Sequence, residues 1–123
     1  MDFRVYNSRA LSSVTATKLY DDPEDYRLER IEKLQTRLLG DILAEHDAPK
    51  KFDFLSTDVE GHDREVLQSI DLSQYQPEVI VVEISGQMSV GSIAECTVAR
   101  HLSQYAYEPV AAHYNTVFFR KAL

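Results

Sequence analysis

One stretch of sequence decides the fold: Phe52-Asp-Phe-Leu-Ser-Thr-Asp-Val-Glu-Gly-His-Asp-Arg-Glu-Val-Leu67. Its opening residues, 52–57, are led by bulky apolar side chains and predict a buried strand. An acidic turn follows from Asp58, and Gly61 within it gives the backbone conformations that other residues avoid. Residues 63–70 have a helix-forming composition with apolar side chains on one stripe. In an α/β sheet such a turn lies at the carboxyl end of its strand, where ligands bind.

The composition excludes several classes of protein. A length of 123 residues fits one domain with a single core. The net charge of -7 argues against nucleic acid or an anionic membrane as the main partner, because both require a cationic surface. The longest apolar run, residues 79–82, is far shorter than the roughly 20 residues that span a membrane. The single cysteine, Cys96, forms no internal disulfide and has no metal-ligand spacing with a histidine, so we expect a reduced, cytoplasmic setting.

The other elements follow from local patterns. Residues 3–6 alternate apolar and polar side chains and predict a short strand. Residues 78–84 are apolar on both faces, which is typical of a central strand in a parallel sheet. Residues 92–105 have the apolar spacing of a helix. Residues 107–112 and 114–120 predict two strands, which a tight connection should make antiparallel neighbours.

Residues 26–46 allow two interpretations. Leucine and isoleucine recur there at helical spacing, which favours one long amphipathic helix. Against a single helix, Gly40 lies inside it and Thr36 resembles a helix cap. The alternative is a short strand over residues 31–35 followed by a helix. Periodicity favours the single helix.

Two motifs resemble the FkbM-type methyltransferase family. Residues 54–67 contain Asp-Val-Glu-Gly after an apolar strand and Val-Leu in the following helix, and Pro77-Glu-Val-Ile-Val-Val-Glu83 comes next. The resemblance implies an α/β fold: the second half of a Rossmann-like class I methyltransferase sheet, with parallel strands and a terminal antiparallel hairpin. It also favours a strand followed by a helix over residues 26–46. The implied reaction is O-methyl transfer from S-adenosylmethionine to a small-molecule hydroxyl acceptor.

One part of the family pattern is missing from the sequence. The resemblance implies that the cofactor is held mainly by a Gly-rich turn in the first half of the domain, yet the four glycines here include no Gly-x-Gly pattern. We therefore expect residues 1–123 to form a single partial domain, the carboxyl-terminal part of a methyltransferase. We expect the isolated chain to bind S-adenosylmethionine weakly or not at all and to be inactive. The alternative is a non-catalytic module that associates with itself or with a partner.

The partial domain has a consequence for strand 52–57. In the implied sheet this strand pairs with the cofactor-binding strand, so without that neighbour it has an open, apolar edge. Such an edge pairs readily with another chain. We therefore expect a homodimer through this edge, or cover by a rearranged amino-terminal segment.

Four residues are candidates for the catalytic site: Asp58, Glu60, His62 and Glu83. The resemblance places Asp58 beside the transferred methyl group, where a carboxylate or a histidine can orient the acceptor and remove its proton. Glu60, His62 and Glu83 are supporting candidates that converge on the same edge. In the alternative interpretation, Asp58 and Glu60 have a structural role and stabilise the start of the next helix. Three carboxylates can hold a divalent cation, but no aspartate-rich spacing supports one, and we predict no metal.

Overall fold

A computed structural model describes residues 1–7, 27–59, 61–84 and 90–122. The chain divides into two compact units, Met1–Thr36 and Arg37–Leu123. No helix in these described ranges is both long and apolar enough to cross a membrane.

The first unit contains an antiparallel pair of strands, β1 (Asp2–Tyr6) and β2 (Leu28–Lys33). Both ends of the pair are held by reciprocal hydrogen bonds. At one end the Met1 amino group donates to the Leu34 carbonyl at 3.0 Å, and the Leu34 N–H donates to the Met1 carbonyl at 2.9 Å. At the other end the Arg27 N–H donates to the Asn7 side-chain oxygen at 3.0 Å. The strand predicted for residues 3–6 is confirmed.

The second unit contains a mixed four-stranded sheet. Its elements in chain order are α1 (Leu39–Glu45), β3 (Lys51–Thr57), α2 (Asp63–Gln68), β4 (Gln76–Glu83), α3 (Val90–Glu95), α4 (Thr97–Ser103), β5 (Tyr107–His113) and β6 (Thr116–Lys121). The strand order is β3-β4-β6-β5, with β3 parallel to β4 and the remaining pairs antiparallel. The α/β class, the central position of residues 78–84 and the terminal hairpin are confirmed. The sheet is mixed rather than purely parallel, because the second strand of the hairpin pairs with β4.

The helices pack on one face of this sheet. Ile80 and Val82 lie opposite Phe119 and Val117 across the β4–β6 pair, and all four are buried. They form one core with the apolar residues of α2 and α4, including Leu67, Val98, Ala99 and Leu102. Because successive side chains of a strand point to opposite faces, every second residue of β4 and β6 faces the helices.

The described part of this segment, residues 27–46, contains a strand and a helix, so the single long helix is wrong. The described strand, β2, begins three residues earlier than predicted, because it pairs with β1. Thr36 is not the cap of α1. The cap position is Leu38, and the helix start is held by Ser69, whose hydroxyl accepts from the Leu39 N–H at 3.0 Å. Gly40 donates to the Ser69 carbonyl at 3.0 Å, and a side chain at Gly40 would approach that oxygen to 3.2 Å.

The helix predicted for residues 92–105 is interrupted. It forms the short helices α3 and α4, separated at Cys96, whose backbone is extended with φ -67° and ψ 156°. The Cys96 thiol accepts from the Ala99 N–H at 3.3 Å and so caps α4. Apolar spacing alone could not show this break, because both helices present apolar residues to the same core.

Strand β3 is an edge strand, as predicted, but it is not buried. Among the described residues it pairs with β4 alone. Phe52 and Leu55 are half-buried against the core, whereas Phe54 is 55 % exposed. Phe54 belongs to the face of the sheet opposite Leu55, and it is not among the residues that pack against the core.

Tyr107→Phe tests the hydrogen bond that links the hairpin to β4. The buried Tyr107 hydroxyl donates to the Pro77 carbonyl at 2.6 Å, so the variant should lose about 1–2 kcal/mol of unfolding free energy. Burial raises the pKa of Tyr107 above its usual value of 10.0. The unfolded chain therefore releases this proton first, and the contribution of the hydroxyl to stability is full below pH 10 and falls as pH rises above it.

The measurement is thermal unfolding of both proteins at neutral and alkaline pH. The stability difference should be largest near neutral pH and shrink above pH 10. The same substitution at Tyr114, which is 86 % exposed, is the control and should change little. A stability difference that is constant up to pH 11 would contradict the assignment.

Candidate functional site

The carboxyl ends of β3 and β4 meet at one edge of the sheet. Thr57, the last residue of β3, lies beside Val82 in the parallel register. Asp58 follows Thr57 and Glu83 follows Val82, so these two acidic residues leave neighbouring strands at the same level. Both are exposed. Two of the four predicted site residues are thus brought to one edge by the register of a single strand pair.

The turn between β3 and α2 depends on Gly61. Its φ is +92°, in the region that side chains disfavour, and nothing lies within 4 Å of the position a Cβ would occupy. Glycine is required there because of its backbone conformation, and not because a side chain would clash with a neighbouring atom. His62 then occupies the cap position of α2, half-buried, and its side chain makes no capping hydrogen bond. Glu60 lies outside the described residues, and the convergence of all four candidates stays a prediction.

Two further polar residues, at the end of β3 and the start of α2, are buried. Asp63, the first residue of α2, is 3 % exposed, and Thr57 is 6 % exposed. Among the residues that the structure describes, neither carboxylate oxygen of Asp63 has a hydrogen-bond partner, and neither does the Thr57 hydroxyl. Buried polar groups are nearly always hydrogen-bonded in proteins, so these atoms need an explanation.

The sequence does contain an indication that Asp63 is buried, but this indication is easily overlooked. Asp63, Leu67 and Ile70 are spaced as i, i+4 and i+7, which places a carboxylate on the apolar stripe of the helix. The other two residues are in the core. An acid on the first turn of a helix is usually interpreted as a favourable charge at an exposed helix end. Its burial is visible only in the structure.

The edge can act chemically as a hydrogen-bond acceptor and a proton acceptor. Asp58 and Glu83 are exposed acidic residues at this edge, and Asp63 is a buried acid at the start of α2. In the described part of the chain, no three Asp, Glu, His or Cys side chains are grouped so that they could hold a metal ion. The edge suits a ligand that donates hydrogen bonds or carries positive charge.

One carboxylate with a shifted pKa lies outside this edge, in the connection between α2 and β4. Hydrogen bonds from the Ser73 hydroxyl, the Ser73 N–H and the Gln74 side chain lower the pKa of Asp71 below 3.8. Asp71 is exposed, and its hydrogen bonds to Ser73 and Gln74 shape a turn. Its role is structural.

Comparison with known proteins gives one match. The family described as Methyltransferase FkbM domain matches residues 5–112, a range that includes the whole β3–turn–α2–β4 segment. No curated protein and no solved structure gives a significant match.

Gly61→Ala tests whether the turn depends on the backbone of its glycine. Alanine should destabilise the protein by about 1–3 kcal/mol, because it must be held at a strained positive φ. Asparagine tolerates positive φ better than alanine, so Gly61→Asn should lose less. Chemical denaturation of the three proteins measures the difference. Equal losses for alanine and asparagine would mean that the cost does not come from φ.

Proposed function

Because the chain belongs to the FkbM methyltransferase domain family, we propose that it supplies the acceptor-binding side of an S-adenosylmethionine-dependent O-methyl transfer. The observation that carries the proposal is the family match over residues 5–112, which contains the acidic edge. The topology supports it as well. A parallel pair, β3–β4, followed by an antiparallel hairpin is the arrangement expected for the second half of a Rossmann-like methyltransferase sheet. The single thiol, Cys96, fits a cytoplasmic enzyme.

The described residues suit the acceptor better than the cofactor. Carboxylates at the carboxyl edge can accept hydrogen bonds from a hydroxyl group, whereas no Gly-x-Gly turn is present to hold a nucleotide-like cofactor. We therefore assign no residue to cofactor binding. When bound, S-adenosylmethionine supplies an electrophilic methyl group.

Asp58 is the proposed general base. Its carboxylate, exposed at the edge, accepts the proton of the acceptor hydroxyl as that oxygen becomes nucleophilic. Glu83 leaves the neighbouring strand at the same level and helps to orient the acceptor. His62 and Glu60 are supporting residues on the turn. The acceptor is a small molecule with a hydroxyl group.

A chimaera tests this proposal. Residues 37–123 replace the corresponding part of an active FkbM-type methyltransferase, and transfer of radiolabelled methyl groups is measured. In the chimaera, Asp58→Asn should lower the turnover rate by roughly 10²–10⁴-fold, because the acceptor proton loses its base. Asp41→Asn is the matched control. It changes an exposed aspartate within α1 and should leave the rate unchanged. An active chimaera in which Asp58→Asn has no effect would refute the role of Asp58.

A second candidate function is self-association, and the edge of β3 favours it. A copy related by two-fold symmetry must pair with this edge antiparallel. With Phe52 at the centre, Lys51 of each copy lies opposite Asp53 of the other. Both side chains are exposed, and opposite charges directly across an antiparallel pair stabilise it. We therefore propose a homodimer through β3 with this register.

Charge exchange tests the dimer. Asp53→Lys places lysine opposite lysine and should weaken self-association at least tenfold in analytical ultracentrifugation. Lys51→Asp should weaken it similarly. The double variant Lys51→Asp and Asp53→Lys restores the opposite pairs and should restore the dimer. A wild-type chain that is monomeric at high micromolar concentration would refute the dimer, and a double variant that stays dissociated would refute the register.

A further inference from the structure

The turn between β5 and β6 lies at the same edge of the sheet as Asp58 and Glu83. Because β6 runs antiparallel to β4, its first residue, Thr116, lies beside Glu83 in the register. The Asn115 carbonyl accepts a hydrogen bond from the Ile84 N–H at 2.7 Å, which joins the turn to the residue that follows Glu83. The turn is therefore held against the end of β4.

Tyr114, at the start of this turn, has a backbone conformation that is unusual for its side chain. His113 pairs with Thr116, so the loop of the hairpin consists of Tyr114 and Asn115 alone. The φ of Tyr114 is +52°, where short hairpin loops favour glycine, asparagine or aspartate and a bulky side chain is an outlier. Tyrosine at this position therefore lowers the stability of the ligand-free fold.

The side chain of Tyr114 gains little from packing in return. It is 86 % exposed, the highest fraction among the large apolar side chains that the structure describes. Its ring contacts the ring of His113 edge to face, with the ring centres 4.6 Å apart and the planes at 85°. One such contact covers at most one face of the Tyr114 ring, so the other face is open to a ligand. Backbone strain of this kind is common at sites that hold ligands.

We propose that the open face of Tyr114 stacks against an aromatic ring of the acceptor, which is a phenol. This inference rests on the proposed O-methyl transfer and names the class of its substrate. Two aromatic rings attract each other in offset-stacked and edge-to-face arrangements. Neighbouring strands are about 4.8 Å apart, so β3, which leads to Asp58, and the start of β6 are separated by about 10 Å. A phenol together with the two side chains can span that distance.

A phenol also suits the proposed base at this edge. A carboxylate is a weak base, and it accepts a proton more readily from a more acidic hydroxyl group. A phenolic hydroxyl has a pKa of about 10, whereas the pKa of water is about 16. Asp58 therefore needs less assistance to take the proton of a phenol than that of an aliphatic alcohol. Tyr114 is a binding residue that holds the ring, and Asp58 remains the general base.

Nuclear magnetic resonance titration of the whole chain, without cofactor, tests the proposal. The probes are phenol and cyclohexanol, which are similar in size and carry one hydroxyl group each, but only phenol has an aromatic face. Phenol should shift the amide resonances of residues 83–84 and 113–116 in a saturable way, and cyclohexanol should bind about tenfold more weakly. Tyr114→Ala should weaken phenol binding by about the same factor. Tyr114→Phe is the matched control, because it keeps the ring and should bind phenol like the wild type.

Thermal unfolding separates ligand binding from a structural role of Tyr114. Tyr114→Gly removes the ring and relieves the strain at positive φ, so it should raise the melting temperature of the ligand-free chain and weaken phenol binding. A tyrosine that stabilised the hairpin through His113 would give a lower melting temperature in this variant. The proposal is overturned by that result, by equal binding of phenol and cyclohexanol, or by undiminished phenol binding in Tyr114→Ala.

The titration and the chimaera fail independently, because the titration needs no methyl transfer. Phenol binding that depends on Tyr114, together with an active chimaera in which Asp58→Asn has no effect, would refute the proposed role of Asp58 and support the ring site. A chimaera that depends on Asp58, in a chain whose phenol binding does not depend on Tyr114, would do the reverse.

Discussion

Hydrogen bonding along both edges of β4 is the constraint on which the second unit depends. One edge pairs parallel with β3 and the other antiparallel with β6. A parallel neighbour cannot be joined by a tight turn, so the chain must cross over between β3 and β4, and α2 lies in that crossover. The crossover places the acidic turn at the carboxyl edge. The site and the core are therefore consequences of the same strand pairing.

The register of the β3–β4 pair explains why the sequence predicts some of the residues at the carboxyl edge of these strands. An apolar strand, an acidic residue, a glycine and a helix predict where Asp58 must lie, because each signal is local. Glu83 ends a strand that is apolar on both faces, and parallel strands end at the same edge. These two positions follow from local patterns and one topological rule. Thr57 and Asp63 do not, because a residue's burial depends on which elements cover it.

Where the sequence patterns predicted the wrong element, the structure depends mainly on contacts with residues that are distant in the chain. Over residues 26–46 the helical spacing is real, but pairing with β1 makes residues 28–33 a strand. Ser69 binds the start of α1 from thirty residues away in the chain. Phe54 has the character of a core residue, yet it is exposed and lies outside the core cluster. Cys96 differs, since its thiol caps α4 locally, a role rarely given to cysteine.

Strand β3 carries several features that lower the unfolding free energy of the ligand-free chain. Its outer edge is unpaired among the described residues, Phe54 is exposed on one face, and its last residue buries a hydroxyl without a partner. A strand selected only for stability would place a small polar residue at position 54 and valine at position 57. Any molecule that binds these features in the folded state and not in the unfolded chain stabilises the fold by mass action. A molecule that binds β3 in the folded state would therefore raise the stability of the second unit.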